Sequence, residues 1–489
     1  MVGSGDSRPL KSQSAGLKRS LGPGIAIAVV VGNVIGSGIF LKPGTIAADG
    51  GRFDLIILVW VFGGLLCLLG ALCFAELAAM YPQAGGIYVY LREAYGKPFA
   101  FLFGWTEVIF GKPAAIGALA VAFAGKFALA FNRELSAWEQ VAMAIFLIGS
   151  LAWVNIMGVL WGGRMQVLTT VIKAGFLGVL AVLPFALAGF TERSLDLTNY
   201  GTVVTANESS MAAQIGAVLL AVMWAYNGWH GLTALAEEVR EPQRNIPLSL
   251  FAGIGILIAL YVSANVAYHG VLSMQEMKAA GPDAAEHMLD RLLGRWGVLA
   301  MSAVIMCSTF GAINVNLLNA PRIIFAMGRD RLLFRGLGKV HAGYHTPVTA
   351  IVVMALMSTS LIAGVMVSKH LAQDADPDAL QSEIARKIVG SLQDDSIFDL
   401  LTNFVIFSAS IFYALTVLAV LVLRFRQPQT NRPYRTWGYP LTPVFFLGVY
   451  TWFLVQVYSS RELESRVGLL LIGAGIPVFF IGRWWNNRR

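Results

Sequence analysis

Polar residues in this chain fall in short clusters between long apolar runs. Twelve runs reach the roughly 20 residues that a helix needs to cross hydrocarbon. They lie near 23–47, 53–80, 98–131, 137–160, 165–190, 211–238, 246–271, 296–328, 346–368, 396–424, 440–459 and 466–485. The third, eighth and tenth exceed that length, which predicts tilt or extension past the lipid. Inside the first run, Val31-Gly32-Asn33-Val34-Ile35-Gly36-Ser37-Gly38-Ile39-Phe40 sets three weak helix formers where continuous helix is expected. Backbone freed at membrane depth is tolerated only within protein or beside a water-filled cavity. A helix restarting there offers amides to a carboxylate or another anion. The sixth run is interrupted as well, by the turn-type dipeptide Asn227-Gly228 within Met223-Trp224-Ala225-Tyr226-Asn227-Gly228-Trp229-His230-Gly231.

The two interruptions lie five runs apart. Paired breaks at matching places in two halves point to an inverted repeat with its binding site at the bilayer midplane. Glycines that only permit close helix packing are the alternative. The expectation is an all-α polytopic membrane protein with twelve transmembrane helices. It has a tail over 1–22, a first repeat over 23–190, a second over 211–425, and two further helices with a tail over 426–489.

Composition supports the membrane class. The 489 residues are 56% hydrophobic and 13% charged, against roughly 25% charged in a soluble domain, and the mean hydropathy is +0.66. The net charge of +8 comes from loops and is no sign of nucleic-acid binding. One set of loops carries Arg92, Lys97, Arg164, Arg240, Arg244, Arg329, Arg331, Arg335, Lys339, Arg424, Arg426, Arg432 and Arg435, and the tail residues Arg483, Arg488 and Arg489 share that side. The opposite loops are acidic or mixed, with Glu192, Asp196, Asp283, Glu286, Asp290, Asp374, Asp376, Asp378, Asp394 and Asp395. Loop Lys and Arg mark the cytoplasmic side, so both termini are expected in the cytoplasm and the protein in the cell membrane. The polar, basic start (Arg8, Lys11, Lys18, Arg19) does not resemble a cleaved signal peptide. Cys67, Cys73 and Cys307 sit in apolar runs and are expected reduced, with no metal-type spacing and no cofactor implied. HExxH, GxSxG and Walker-type motifs are absent, which argues against an enzyme or an ATP-driven pump.

Charges inside apolar runs are costly and point to function. Lys173 lies in the fifth run and could act there or snorkel to the interface. Glu107, Lys112 and Lys126 lie in the third. Glu107 and Lys112 are five apart, a poor same-face spacing in an α-helix, so one of them is expected to reach another helix, with a structural role or an end-of-helix position rather than substrate contact. Lys112-Pro113 is a place for a kink. Glu76, Glu237 and Glu238 end their runs near Arg240, Arg322 and Arg329, a set able to form an inner gate of ion pairs. His230 follows the second break and is read as a hydrogen-bonded residue, a pocket wall or a pH sensor. His269, His341 and His345 sit at run ends or in loops. Asn207-Glu208-Ser209 fits a glycosylation sequon that is frequent by chance.

The run from Gly32 to Phe40 resembles the first-helix signature of the amino acid–polyamine–organocation superfamily. Other stretches resemble its L-amino-acid transporter family, in a bacterial type: Cys73-Phe74-Ala75-Glu76-Leu77, Tyr81-Pro82-Gln83-Ala84-Gly85-Gly86-Ile87-Tyr88, Glu237-Glu238-Val239 with Asn245-Ile246-Pro247, Phe310-Gly311-Ala312-Ile313-Asn314 with Arg322, and Arg432-Pro433-Tyr434 through Pro477 to Trp484-Trp485. The resemblance covers almost the whole chain. It implies a LeuT-like fold that moves amino acids by alternating access. It implies that the substrate carboxylate meets Gly36, Ser37, Gly38 and the amide of Ile39. The α-amino group is then expected at carbonyls near Val34 and Ile35 and around Trp224, Ala225 and Asn227-Gly228. Trp224 falls at the aromatic gate, where the family commonly has Phe. Asn227 replaces a frequent Gly, and His230 stands where some members have Asn. The resemblance also implies that Lys173 stands in for a sodium ion, bridging the fifth helix to carbonyls near Gly32 to Ile35. The loop Asn132-Arg133-Glu134-Leu135-Ser136 lacks the cysteine that joins metazoan relatives to a heavy subunit, so no disulfide-linked partner is expected.

Independent physics agrees with the zwitterion: half-helix N-termini suit its anionic end and unsatisfied carbonyls its cationic end. Ser37 can add a hydroxyl to the carboxylate or simply be a small packing residue. The expected function is secondary transport of L-amino acids, neutral ones because neither break carries an acid, by sodium-independent exchange or proton coupling. Transport of cationic amino acids or polyamines is the second reading, which Glu107 facing the pocket would favour. A membrane-embedded sensor without flux is a third, against which the short tails speak.

Overall fold

The structure, a computed structural model, describes residues 16–131, 133–190, 195–207, 210–376, 379, 382–394, 397–460 and 462–487. Several residues used above lie outside them: Arg8, Lys11, Asn132, Glu192, Glu208, Ser209, Asp378, Asp395, Arg488 and Arg489. Among the described residues there is no β-strand, only two isolated bridges. Twelve helical spans among the described residues are long and apolar enough to cross a membrane: Pro23–Leu41, Phe53–Met80, Lys97–Ala130, Ala137–Ile156, Val159–Leu187, Met211–Glu238, Pro242–Val271, Arg295–Arg329, Val348–Ala372, Phe407–Arg426, Leu441–Ser459 and Glu462–Trp484.

Local chemistry sets most boundaries. Pro23, Pro43 and Pro242 sit in first turns, where a missing N–H costs nothing. Ser136 and Glu139 form a capping box that starts the fourth span. The fourth span stops at Ile156, short of the expected 160, because Gly158 takes φ +147° and the chain restarts at Val159. The fifth span therefore begins six residues earlier than its apolar run suggests, and Arg164 lies within its helix rather than in a loop. Arg244 is likewise inside the seventh span, which opens at Pro242.

The spans that a five-plus-five repeat makes equivalent pack extensively against each other: second on seventh, third on eighth, fourth on ninth. The core is continuous, running from Leu21 in the entry segment to Phe479 in the last span. Cys67 and Cys73 are buried and Cys307 half-buried, and all three are free thiols.

Both ends of the bundle are tied by ion pairs. At the end bearing the Arg-rich loops, Arg322 forms a two-pronged pair with Glu238 at 2.9 and 2.8 Å, with both side chains 0% exposed. Arg329 reaches Glu237 at 2.8 Å. Glu76 accepts from Arg424 at 2.9 and 2.7 Å and from the Thr436 amide at 2.7 Å. The carboxylates expected in an inner gate are thus paired, although Arg240 contributes through its backbone, its amide donating to the Leu21 carbonyl at 2.9 Å. Breaking a fully buried pair leaves one charge without a partner, a loss of about 3–5 kcal/mol. Arg322→Met should accordingly lower the melting temperature of the purified protein markedly, and an unchanged melting temperature would contradict the assignment. At the other end, Lys126 of the third span reaches Glu286 at 2.5 Å and Asp283 at 3.2 Å. These acids belong to the short connection between the seventh and eighth spans, whose helix Met274–Ala280 packs on Pro43–Gly50.

Candidate functional site

The first span is helical over Pro23–Val34, opens at Ile35 to Ser37, and resumes at Gly38–Leu41 and Pro43–Gly50. The sixth is an α-helix over Met211–Tyr226, opens at Asn227-Gly228, and continues as a 3-10 helix over Trp229–Glu238. A ten-residue 3-10 run is long for that geometry and marks an unusual segment. Gly228 takes φ +112°, a backbone region that side chains disfavour. The two breaks face each other: the Asn33 side-chain amide donates to the Gly228 carbonyl at 2.6 Å. Tyr261 of the seventh span places its hydroxyl 3.0 Å from the Val34 carbonyl and 3.1 Å from the Ala225 carbonyl, touching both breaks at once.

Between the breaks lies a cavity of about 60 Å³. Val34, Gly36, Ser37, Gly38, Trp224, Asn227 and Gly228, all expected at the site, line it. The Ser37 hydroxyl is buried and has no hydrogen-bond partner, and it is well placed to donate to a guest. The amides of Ser37 and Ile39 have no backbone acceptor among the described residues. Trp224 lies across Ala114 and Ala118 of the third span.

Ile35, Ile39 and Ala225, also expected at the site, are not in the cavity wall. Ile35 is 0% exposed. Its carbonyl accepts from the Lys173 ammonium at 2.6 Å and the Ser308 hydroxyl at 2.8 Å, which uses both lone pairs. The Ile39 carbonyl accepts from Tyr268 at 3.3 Å, and the Ala225 carbonyl is taken by Tyr261. His230 is also set back. Its ring lies 4.8 Å from that of Tyr413, and Tyr413 is the residue facing the cavity. The Tyr413 hydroxyl donates to the Asn227 side-chain oxygen at 2.9 Å.

Lys173 does not snorkel. It is fully buried, and its ammonium meets the carbonyls of Gly32 at 2.5 Å, Ile35 at 2.6 Å and Ser308 at 3.5 Å. A cation thus sits among carbonyls of the unwound first span and the eighth span.

Sequence reasoning missed the wall residues Asn33, Asn316, Tyr413 and Lys112, and it set Glu107 at the pocket only under the cationic reading. Residues 107–111 form one π-helical turn. Such a turn closes every five residues instead of every four, so a five-residue separation becomes a same-face spacing. The Lys112 ammonium therefore lies 3.6 Å from the Glu107 carboxylate, rather than either group reaching another helix. Pro113, which has no N–H to donate, follows directly and fits the local loosening.

Twelve apolar helices around a cavity walled by two broken helices define a membrane carrier for a small solute. A model of the amino acid permease family matches residues 22–479, and the chain belongs to that family. It is 31% identical to the serine/threonine exchanger SteT of Bacillus subtilis, over 96% of this chain and 98% of that protein. It is 29% identical to the mouse Asc-type amino acid transporter 1, over 98% of this chain and 83% of that protein. The human large neutral amino acids transporter small subunit 2 is also 29% identical, over 99% and 85%. The protein is a multi-pass amino acid transporter, and these relatives are carriers rather than enzymes.

Proposed function

We propose that the protein carries small neutral L-amino acids by alternating access, as a sodium-independent exchanger, holding each zwitterion between the two breaks. The observation that carries this reading is the pairing of the opening at Ile35 to Ser37 with the Asn227-Gly228 opening across one cavity. The carboxylate meets the Ser37 hydroxyl and the amides that open the second half of the first span. Because both lone pairs of the Ile35 carbonyl are taken and Ala225 lies outside the cavity wall, the ammonium meets the carbonyls of Trp224 and Asn227. Lys173 takes the place of a bound sodium ion.

Three features support small and neutral side chains. The cavity is small, Trp224 forms part of its wall, and Glu107 is matched there by Lys112. Glu107 does face the pocket, as the cationic reading requires, yet a cationic side chain would meet the Lys112 ammonium beside it. The names of two relatives, a serine/threonine exchanger and a transporter of large neutral amino acids, agree with neutral side chains, and the choice of small ones rests on the cavity. The Arg-rich loops support a reading in which the protein lies in the cell membrane with both termini on the cytoplasmic side. No disulfide-linked heavy subunit is part of this reading.

Uptake into proteoliposomes across a panel of labelled amino acids, with and without amino acid inside, tests it. Neutral amino acids should enter fastest and only against internal amino acid. Replacing external Na⁺ by choline should leave the rate unchanged. Uptake that needs no internal substrate would overturn exchange, and a steep Na⁺ dependence would overturn the role of Lys173.

A further inference from the structure

We infer that the Glu107–Lys112 pair is the side-chain subsite of the cavity and selects amino acids whose side chains both donate and accept hydrogen bonds, the hydroxyl-bearing ones above all. This rests on the transport reading above. Both residues line the same cavity as Ser37, Gly38 and Asn227. Their charged ends stand 3.6 Å apart, beyond hydrogen-bond distance. Glu107 is 6% exposed, and among the described residues its carboxylate and the Lys112 ammonium are each other's ion-pair partners. A buried carboxylate and a half-buried ammonium held at this separation keep hydrogen-bonding capacity that one guest group can serve on both sides.

A hydroxyl does so. Its O–H donates to the Glu107 carboxylate and its lone pair accepts from the Lys112 ammonium. An alkyl side chain of the same size would shield both charges from water and satisfy neither. A cationic side chain meets Lys112 and an anionic one meets Glu107, each facing a like charge. Backbone geometry builds the subsite. The π-turn over 107–111 puts the two side chains on one face. Gly111, also in the wall, leaves the room the carboxylate occupies, since a Cβ there would stand 2.9 Å from Glu107 Oε1.

The test compares L-serine with L-alanine in the full-length protein, by proteoliposome uptake and by ligand-induced shift of the melting temperature in detergent. The wild type should favour serine by roughly tenfold to a hundredfold, the scale of one hydrogen bond to a charged group. Glu107→Gln should cut that ratio by about tenfold. The double variant Glu107→Gln with Lys112→Gln leaves no unpaired charge, so it supplies the same comparison if the single variant does not fold. Gly111→Ala should lower the ratio in the same direction by displacing the carboxylate. No preference for serine in the wild type, or a ratio unchanged in the folded double variant, overturns the subsite. Absence of any amino acid uptake or binding by the wild type would instead overturn the transport reading itself.

Discussion

Gly38→Val is expected to abolish amino acid uptake while leaving the protein in the membrane. A Cβ on Gly38 would stand 2.7 Å from the Ala225 Cα and 2.9 Å from its Cβ. The nearer neighbour is backbone of the other broken helix, which cannot swing aside as a flexible side chain would. Valine adds two methyl groups beyond that Cβ, so the two breaks must separate. Overpacking of this kind commonly costs about 1–3 kcal/mol in a core. Here the displaced atoms are the walls of the binding cavity, so the effect falls on function more than on folding. Membrane insertion is set by long apolar runs that the change leaves intact. Surface expression with uptake lost, measured on the same cells, is the predicted pair of results. Uptake close to wild type would show that the two breaks need not meet.

The second large effect is expected at Lys173. Methionine there keeps the length of the side chain and removes the charge and its donors. The Gly32 and Ile35 carbonyls, now 2.5 and 2.6 Å from the ammonium, would lose that donor in a fully buried place. Each buried group left unsatisfied costs about 1–3 kcal/mol, and these two carbonyls flank the opening that receives the substrate. Ser308 would still donate to Ile35, at 2.8 Å, so Gly32 bears the larger loss. Transport by Lys173→Met should fall roughly a hundredfold, with a lower melting temperature. Transport at the normal rate would mean that the ammonium only fills space.

Much of this site is legible in the amino-acid sequence because membranes make broken helices conspicuous. Three glycines within seven residues, Gly32 to Gly38, and one Asn-Gly are enough to place both openings, and an isolated Lys173 in an apolar run has few benign explanations. What escapes is contact between distant segments. Nothing near Tyr261 or Tyr413 in the chain indicates that their hydroxyls reach the breaks. Ile35 and Ala225 look available in sequence, and only packing shows their carbonyls claimed by Lys173, Ser308 and Tyr261. The Glu107–Lys112 pair fails for a different reason: a spacing of five is read against α-helical periodicity, and the chain adopts a π-turn there. Span ends shift for a related cause. Hydropathy locates the apolar middle of the fifth span, whereas Gly158 decides where its helix begins.

The most direct test of the account is the structure of the protein bound to an amino acid that it transports. The carboxylate is expected about 3 Å from the Ser37 hydroxyl and the Gly38 amide, with the ammonium against the Trp224 and Asn227 carbonyls. An amino acid seated elsewhere, or first and sixth spans that run unbroken past an empty cavity, would contradict it.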